Sequence, residues 1–222
     1  MLVIELMKIV LSGGSAEIIE KKSRFIAAVS PVENPEEAYA IIAQTRKKYW
    51  DARHVCHAFV TGPNNETAHS SDDGEPQGTA GKPILQVLTG SGVHCCLITV
   101  TRYFGGILLG TGGLVRAYTD AAKAGLSASI LADRLDGCLL RIRCDYEQLG
   151  RVQYLVSSLS LPVTDTSYTD VCETEILVPA DSLPSFKALL TEKTAGRAVF
   201  SSEKHVSYIL TGNKDVSEIT PV

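Results

Sequence analysis

Residues 102–118 read Arg-Tyr-Phe-Gly-Gly-Ile-Leu-Leu-Gly-Thr-Gly-Gly-Leu-Val-Arg-Ala-Tyr, with five glycines (Gly105, Gly106, Gly110, Gly112 and Gly113) in nine residues. His94 to Tyr103 before it is β-rich, and Leu114 to Ala128 after it is rich in strong helix formers. The segment is therefore expected to be a strand-to-helix loop whose bare amides, with the helix N-terminus, could face an anion such as a phosphate or an RNA backbone. Arg102 and Arg116 flank it, and guanidinium groups suit phosphate. It is no Walker A loop, since no GK[ST] follows, and the GxGxxG spacing of a dinucleotide fingerprint is missing. Tight turning and close helix-to-sheet packing account for the glycines equally well.

Around this loop the first half reads strand, strand, helix, strand, acidic loop, helix, strand, glycine loop, helix. Ser23 to Val32 is an apolar strand following Ala16 to Lys21. Asn34-Pro35-Glu36-Glu37 combines an N-cap, a proline at the first helical position and a glutamate at N3, so a helix runs from there to about Tyr49. His54 to Thr61 is another strand, His69 to Pro83 a loop, and a helix starts between Thr79 and Pro83 because proline is tolerated only near a first turn. Cys95 and Cys96 are expected to point to opposite faces of one strand. The apolar start, 1–14, is expected to be an edge strand or a partly ordered leader.

The second half changes rhythm. Leu135 to Tyr146, Val163 to Thr169, Val171 to Val178 and a last run to Leu210 read as strands, and Glu147 to Leu159 as a helix. A further helix enters through Pro184, capped by Asp181 or Ser182. The order βαββαβ is that of a ferredoxin-like split βαβ domain. The predicted division is 1–130, 131–212 and a frayed tail 213–222.

With 45% hydrophobic and 21% charged residues the chain is of ordinary globular composition. Residues 1–130 hold 12 of the 21 Lys+Arg and 12 of the 25 Asp+Glu, so the second half is acidic and any nucleic-acid contact must use local clusters in the first. Six cysteines without a CxxC pair fit a reducing cytoplasm, and no stretch reaches the roughly 20 apolar residues of a membrane span. A cytoplasmic protein without membrane contact is expected; no oligomeric state follows from the sequence.

Three further segments could carry chemistry. Asp72, Asp73 and Glu75 lie within four residues, which would suit magnesium or acid–base work, although Asp, Ser, Gly and Pro are the usual turn formers and a turn is favoured. In Arg53-His54-Val55-Cys56-His57 the strand period puts His54 and Cys56 on one face and His57 on the other, which argues against a three-ligand zinc site and leaves a packed thiol favoured over a Cys/His nucleophile pair. Of two basic groups, Lys21-Lys22-Ser23-Arg24 is the better candidate for phosphate. Arg46-Lys47-Lys48 with Arg53 reads as a solvated helix end favoured by the helix dipole.

These strings carry a resemblance. KKSRFIA at 21–27, DARHVCHAFV at 51–60, SDDGEPQGTAGKPIL at 71–85 and RYFGGILLGTGGLVRAY at 102–118 resemble the IMPACT/YigZ family, with the second half similar in pattern. The resemblance implies an α+β protein of two domains. The first would be a two-layer α/β sandwich like the second domain of a small-subunit ribosomal protein; the second would be ferredoxin-like, resembling the last domain of elongation factor G. It also implies translational control, since eukaryotic relatives interfere with activation of a stress kinase by a ribosome-associated partner; the 222 residues are expected to leave no room for the additional N-terminal domain of those relatives. Small-molecule kinases share the superfamily fold, but the serine pair that follows their glycines is missing here.

On these grounds the chain is expected to be a non-enzymatic protein that binds RNA, the ribosome or a translation-associated protein, without a cofactor. The expected site comprises Lys22, Ser23, Arg24, His54, Asp72, Asp73, Glu75, Thr79, Lys82, Arg102, Tyr103, Gly105, Gly106, Gly110, Thr111, Gly112, Gly113 and Arg116. The alternative is a phosphate- or nucleotide-handling enzyme with the glycine loop on the nucleotide and magnesium on the carboxylates.

Overall fold

A computed structural model describes residues 7–62, 64–210 and 216–221. The chain divides into two compact units, Met7–Ala132 and a second that begins at Asp133.

The first unit is built on a five-stranded sheet. Its strands are β2 (Ser15–Glu20), β3 (Ser23–Pro31), β4 (His54–Thr61), β5 (Thr67–Ser71) and β7 (Cys96–Tyr103), in the order β2-β3-β7-β4-β5 with every neighbour antiparallel. β1 (Met7–Ser12) pairs in parallel with the short β6 (Val93–His94). Helices α1 (Pro35–Lys48), α2 (Gly81–Ser91) and α3 (Thr111–Ser127) complete the unit. The Asn34 side chain accepts from the Glu37 N–H at 2.9 Å, the cap that its sequence predicts.

Side-chain alternation assigns the helices to faces. Cys56, Ala58, Ile98 and Val100 pack under α2 and α3 with Ile84, Leu88, Leu114 and Tyr118. Phe59 and Leu97, one residue out of phase, pack with Ala38 and Ile42 of α1 on the opposite face. The expected two-layer sandwich is therefore corrected: α1 adds a third layer, because both faces of β4 and β7 are apolar and each must be covered.

Two local readings also change. The start of the expected loop 69–83 belongs to β5: His69, Ser70 and Ser71 pair with Phe59, Ala58 and His57. Cys95 does not share a strand with Cys96; it breaks β6 from β7 at a φ of 51°.

From Asp133 within β8 (Ile130–Cys144), the second unit continues with α4 (Tyr146–Ser158), β9 (Val163–Tyr168), β10 (Cys172–Pro179), α5 (Leu183–Thr194) and β11 (Val199–Leu210), which follow the predicted alternation. The strands order as β11-β8-β10-β9, all antiparallel, and α4 and α5 cover one face through Val152, Leu155, Phe186 and Leu190. Ser182 stands at the N-cap of α5 but makes no side-chain cap bond. The frayed tail is corrected as well. Residues Val216–Pro221 form β12, paired with β11, and Val216 and Ile219 pack on Leu135, Leu177, Val206 and Tyr208, whose apolar face would otherwise meet water. Residues 1–6 of the apolar start, and 213–215 and 222 of the tail, lie outside the described residues. Among the described residues no helix is long and apolar enough to cross a membrane.

Candidate functional site

Strand register collects the sequence-predicted residues at one end of the first unit's sheet. Arg24 pairs with Tyr103, His54 with Arg102 and His57 with Ser71, so the start of β3, the end of β7, the start of β4 and the end of β5 share that end. The hairpin turn Lys21-Lys22, the segment 49–53 after α1, the loop 72–80 and the glycine loop 104–110 all emerge there.

The hairpin and the glycine loop are pressed together. Lys21 and Lys22 sit at φ 45° and 66°, the mirror-image two-residue turn that suits the twist of paired strands but that glycine and asparagine usually occupy. Gly105 lies directly on this turn, and a Cβ there would fall inside the backbone of Lys22 and Ser23. Its N–H donates to Ser23 Oγ at 3.2 Å. Close approach, rather than conformational freedom, thus accounts for Gly105, whereas Gly106 and Gly110 hold φ of 84° and 72° that other residues rarely adopt. Helix α3 begins at Thr111, so Gly112 and Gly113 belong to its first turn and not to the loop.

Beneath the glycine loop lies a buried polar cluster. The Arg102 guanidinium donates from Nη1 to Glu75 Oε1 at 2.6 Å and from Nη2 to Ser23 Oγ at 3.5 Å, and lies over the rings of Phe25 and Phe104. Tyr118 donates its hydroxyl proton to the same Glu75 oxygen at 2.8 Å, and the Cys56 thiol lies 3.3 Å from that hydroxyl. Arg102, Glu75 and Tyr118 are 6%, 8% and 0% exposed. The Arg102 Nε is buried without a hydrogen-bond partner. Arg102 is therefore engaged inside the protein, although its sequence position pointed to an exposed phosphate ligand.

The carboxylates of the acidic loop are held apart. Asp72 accepts from the N–H groups of Gly78, Ala80 and Gly81 at 2.7–2.9 Å, closing the loop onto the start of α2. Burial raises its pKa, but those three amides outweigh burial and the net direction is downward. Asp73 accepts from the Val55 N–H at 2.6 Å and pairs with Arg46, while its carbonyl accepts from His54 Nδ1. Glu75 turns inward. With each carboxylate directed to a different partner, the three do not fit one magnesium ion, and among the described residues no group of three or more His, Cys, Asp or Glu is placed to hold a metal. Thr79, buried, donates to the Pro76 carbonyl and shapes the same turn.

His54 and Cys56 do lie on one face, but the thiol contacts the Asp72 carbonyl and the Tyr118 hydroxyl, not the imidazole. Burial pushes its pKa up, so it stays protonated. On the other face His57 stacks on His69, and burial holds its pKa below the ordinary histidine value.

Solvent therefore meets chiefly cations at this end. Arg24 is tied to Glu17 at 2.8 Å, but Lys21, Lys22, Lys47, Lys48, Arg53, Lys82 and Arg116 are exposed, and none stands among the ion pairs of the described residues. A cavity of about 270 Å³ beside α3 brings Lys21 and Arg116 together with Glu20, Asp120, Leu109 and Gly113. Two features escaped the sequence reading. Tyr118 completes the buried cluster, and Trp50, 84% exposed, stands in the turn after α1. The run Lys47-Lys48-Tyr49-Trp50-Asp51-Ala52-Arg53, an aromatic pair between cations, was the signal for the second.

Residues 21–126 match the Impact N-terminal domain, and residues 142–197 match a domain of unknown function, DUF1949. The IMPACT family member YvyE of Bacillus subtilis is 36% identical over 189 residues, which cover 85% of this chain and 87% of that protein. The IMPACT family member YigZ of Escherichia coli is 36% identical over 178 residues, covering 79% and 87%. The Protein IMPACT homolog of Dictyostelium discoideum is 36% identical over 99 residues, 42% of this chain but 28% of that protein. A crystal structure of a hypothetical protein, 34% identical, superposes with a TM-score of 0.58 over 89% of this chain and 97% of its own. The two matched domains and the near full-length relatives make this chain a member of the IMPACT family.

Proposed function

We propose that the protein is a non-enzymatic binding protein that acts in translation by holding RNA, on the ribosome or free, against the cationic end of the first unit's sheet. The translational setting is the one that membership of the IMPACT family implies, carried by its eukaryotic relatives. In the same reading the first unit is of the ribosomal-protein second-domain type and the second is ferredoxin-like, which its βαββαβ order and β11-β8-β10-β9 sheet support.

One observation carries the binding reading. Every carboxylate of the acidic loop is taken up by amides or by an internal arginine, while the lysines and Arg116 around the glycine loop face solvent without an acidic partner among the described ion pairs. Seven exposed cations, Lys21, Lys22, Lys47, Lys48, Arg53, Lys82 and Arg116, stand at this end against the exposed Glu20, Asp51 and Asp120, a local positive excess on a chain of net charge −4, as phosphate contact requires. The enzymatic alternative needs free carboxylates for magnesium and an activated nucleophile; the carboxylates already engaged by amides and arginines and the protonated Cys56 favour binding over it.

The test is a salt series with a labelled single-stranded RNA. The logarithm of the affinity should fall linearly with log salt, and Lys21→Ala, Lys22→Ala and Arg116→Ala together should flatten the slope by about 0.7 for each phosphate no longer neutralised. An affinity that the triple variant leaves unchanged removes this surface from the reading.

A further inference from the structure

We infer that Trp50 is a stacking platform for an unpaired base, so that the RNA bound at this end is single-stranded and runs from the Lys21-Lys22 turn to the turn after α1; this rests on the RNA-binding reading above. The Tyr49 carbonyl accepts from the Ala52 N–H at 3.0 Å, which puts Trp50 and Asp51 at the centre of a tight turn. Tyr103 donates its hydroxyl proton to Asp51 Oδ1 at 2.7 Å and so anchors the turn to the end of β7. Arg24 lies over the same tyrosine ring, 5.5 Å from its centroid. A continuous path therefore joins the hairpin to Trp50 through Arg24, Tyr103 and Asp51. The turn is fixed while the indole at its tip is left 84% exposed, with no ring contact among the described residues.

Charge complementarity selects the partner. Lys47, Lys48 and Arg53, within three residues of Trp50, are exposed and stand in none of the ion pairs of the described residues; Lys48 lies over the Tyr49 ring. An aromatic ring between cations is the arrangement that takes a base on its face and phosphates at its sides, and it tolerates any sequence because every base has a π-face. A duplex keeps its bases stacked on one another and offers this ring nothing to bind.

Trp50 is the chain's one tryptophan, so its fluorescence reports this turn alone. A short single-stranded oligoribonucleotide should quench it, while inorganic polyphosphate and a duplex RNA should leave it unchanged. By anisotropy of the labelled single strand, Trp50→Ala should weaken binding about ten- to a hundredfold with the salt slope kept, and Trp50→Phe should restore most of it. The exposed indole makes loss of folding in either variant easy to check by circular dichroism. Salt-dependent RNA binding that Trp50→Ala does not alter overturns the stacking role and leaves the cationic surface standing. If no RNA binds at all, both readings fall.

Discussion

Arg102 and Glu75 form an ion pair at 2.6 Å in which both side chains are withdrawn from water, so the two charges depend on each other. Removing one partner strands the other in a low-dielectric site. Arg102→Ala should lower stability by about 3–5 kcal/mol, and replacing both residues by apolar ones of similar volume should cost less than the single change. Urea denaturation of the single and double variants reads the difference; a double variant as unstable as Arg102→Ala contradicts this account.

Tyr118 shares the Glu75 oxygen and meets the Cys56 thiol. Tyr118→Phe keeps the edge-to-face packing on Phe25 and removes only the hydroxyl, so it should cost roughly 1–2 kcal/mol, with the fold intact by near-UV circular dichroism.

The glycines of the loop should separate into two classes. Gly105→Ala places a Cβ in the Lys22–Ser23 backbone and should both destabilise the unit and weaken RNA binding, since the hairpin and the loop must part. Gly112→Ala meets nothing within 4 Å and sits in the first turn of α3, so it should be neutral or stabilising by up to about 1 kcal/mol. Thermal melts of the two variants decide whether glycine at these positions serves packing or backbone exposure to a ligand. A large loss of RNA binding in Gly112→Ala with an unchanged melting temperature would point to the bare helix N-terminus as a contact.

Asp72 supplies a pH dependence. Its folded-state pKa lies below the unfolded value of about 3.9, so its contribution is complete above that unfolded value and is lost as pH falls through the folded pKa. Stability measured from about pH 5 down to about pH 2 should fall, and Asp72→Asn should show a shallower acid limb while being less stable near neutrality by about 1–3 kcal/mol. An acid limb identical in the two proteins contradicts the capping role.

Cys56 should resist alkylation in the folded protein at mildly alkaline pH and react once urea is added, because burial keeps its thiol protonated. Mass spectrometry of the tryptic peptides reads this directly.

Element types were largely legible in the sequence because each carried a local signal. Asn34-Pro35 with Glu37 announced α1, the β-rich run at 54–61 is β4, and that at 94–103 holds β7, Cys96–Tyr103. Short or weakly patterned strands were not. Thr67–Ser71 and Val216–Pro221 are strands because β4 and β11 offer them open edges, a property of the partner and not of their own residues.

For the site, the order of residues along the chain set which side chains were available: the glycines, the lysines and the acidic loop, whose strings also identify the family. Their orientation was settled at the tertiary level. Strand register brought the segments to one end of a sheet, and packing then sorted them. It sent Arg102 inward, because Glu75 and Tyr118 lie beneath it, and left Trp50 outward, because the turn after α1 is pinned by the bond from Tyr103 to Asp51. The physical reason is that residues 50 and 102 meet their environments through partners distant in sequence, and side-chain direction depends on those partners and not on neighbours in the chain.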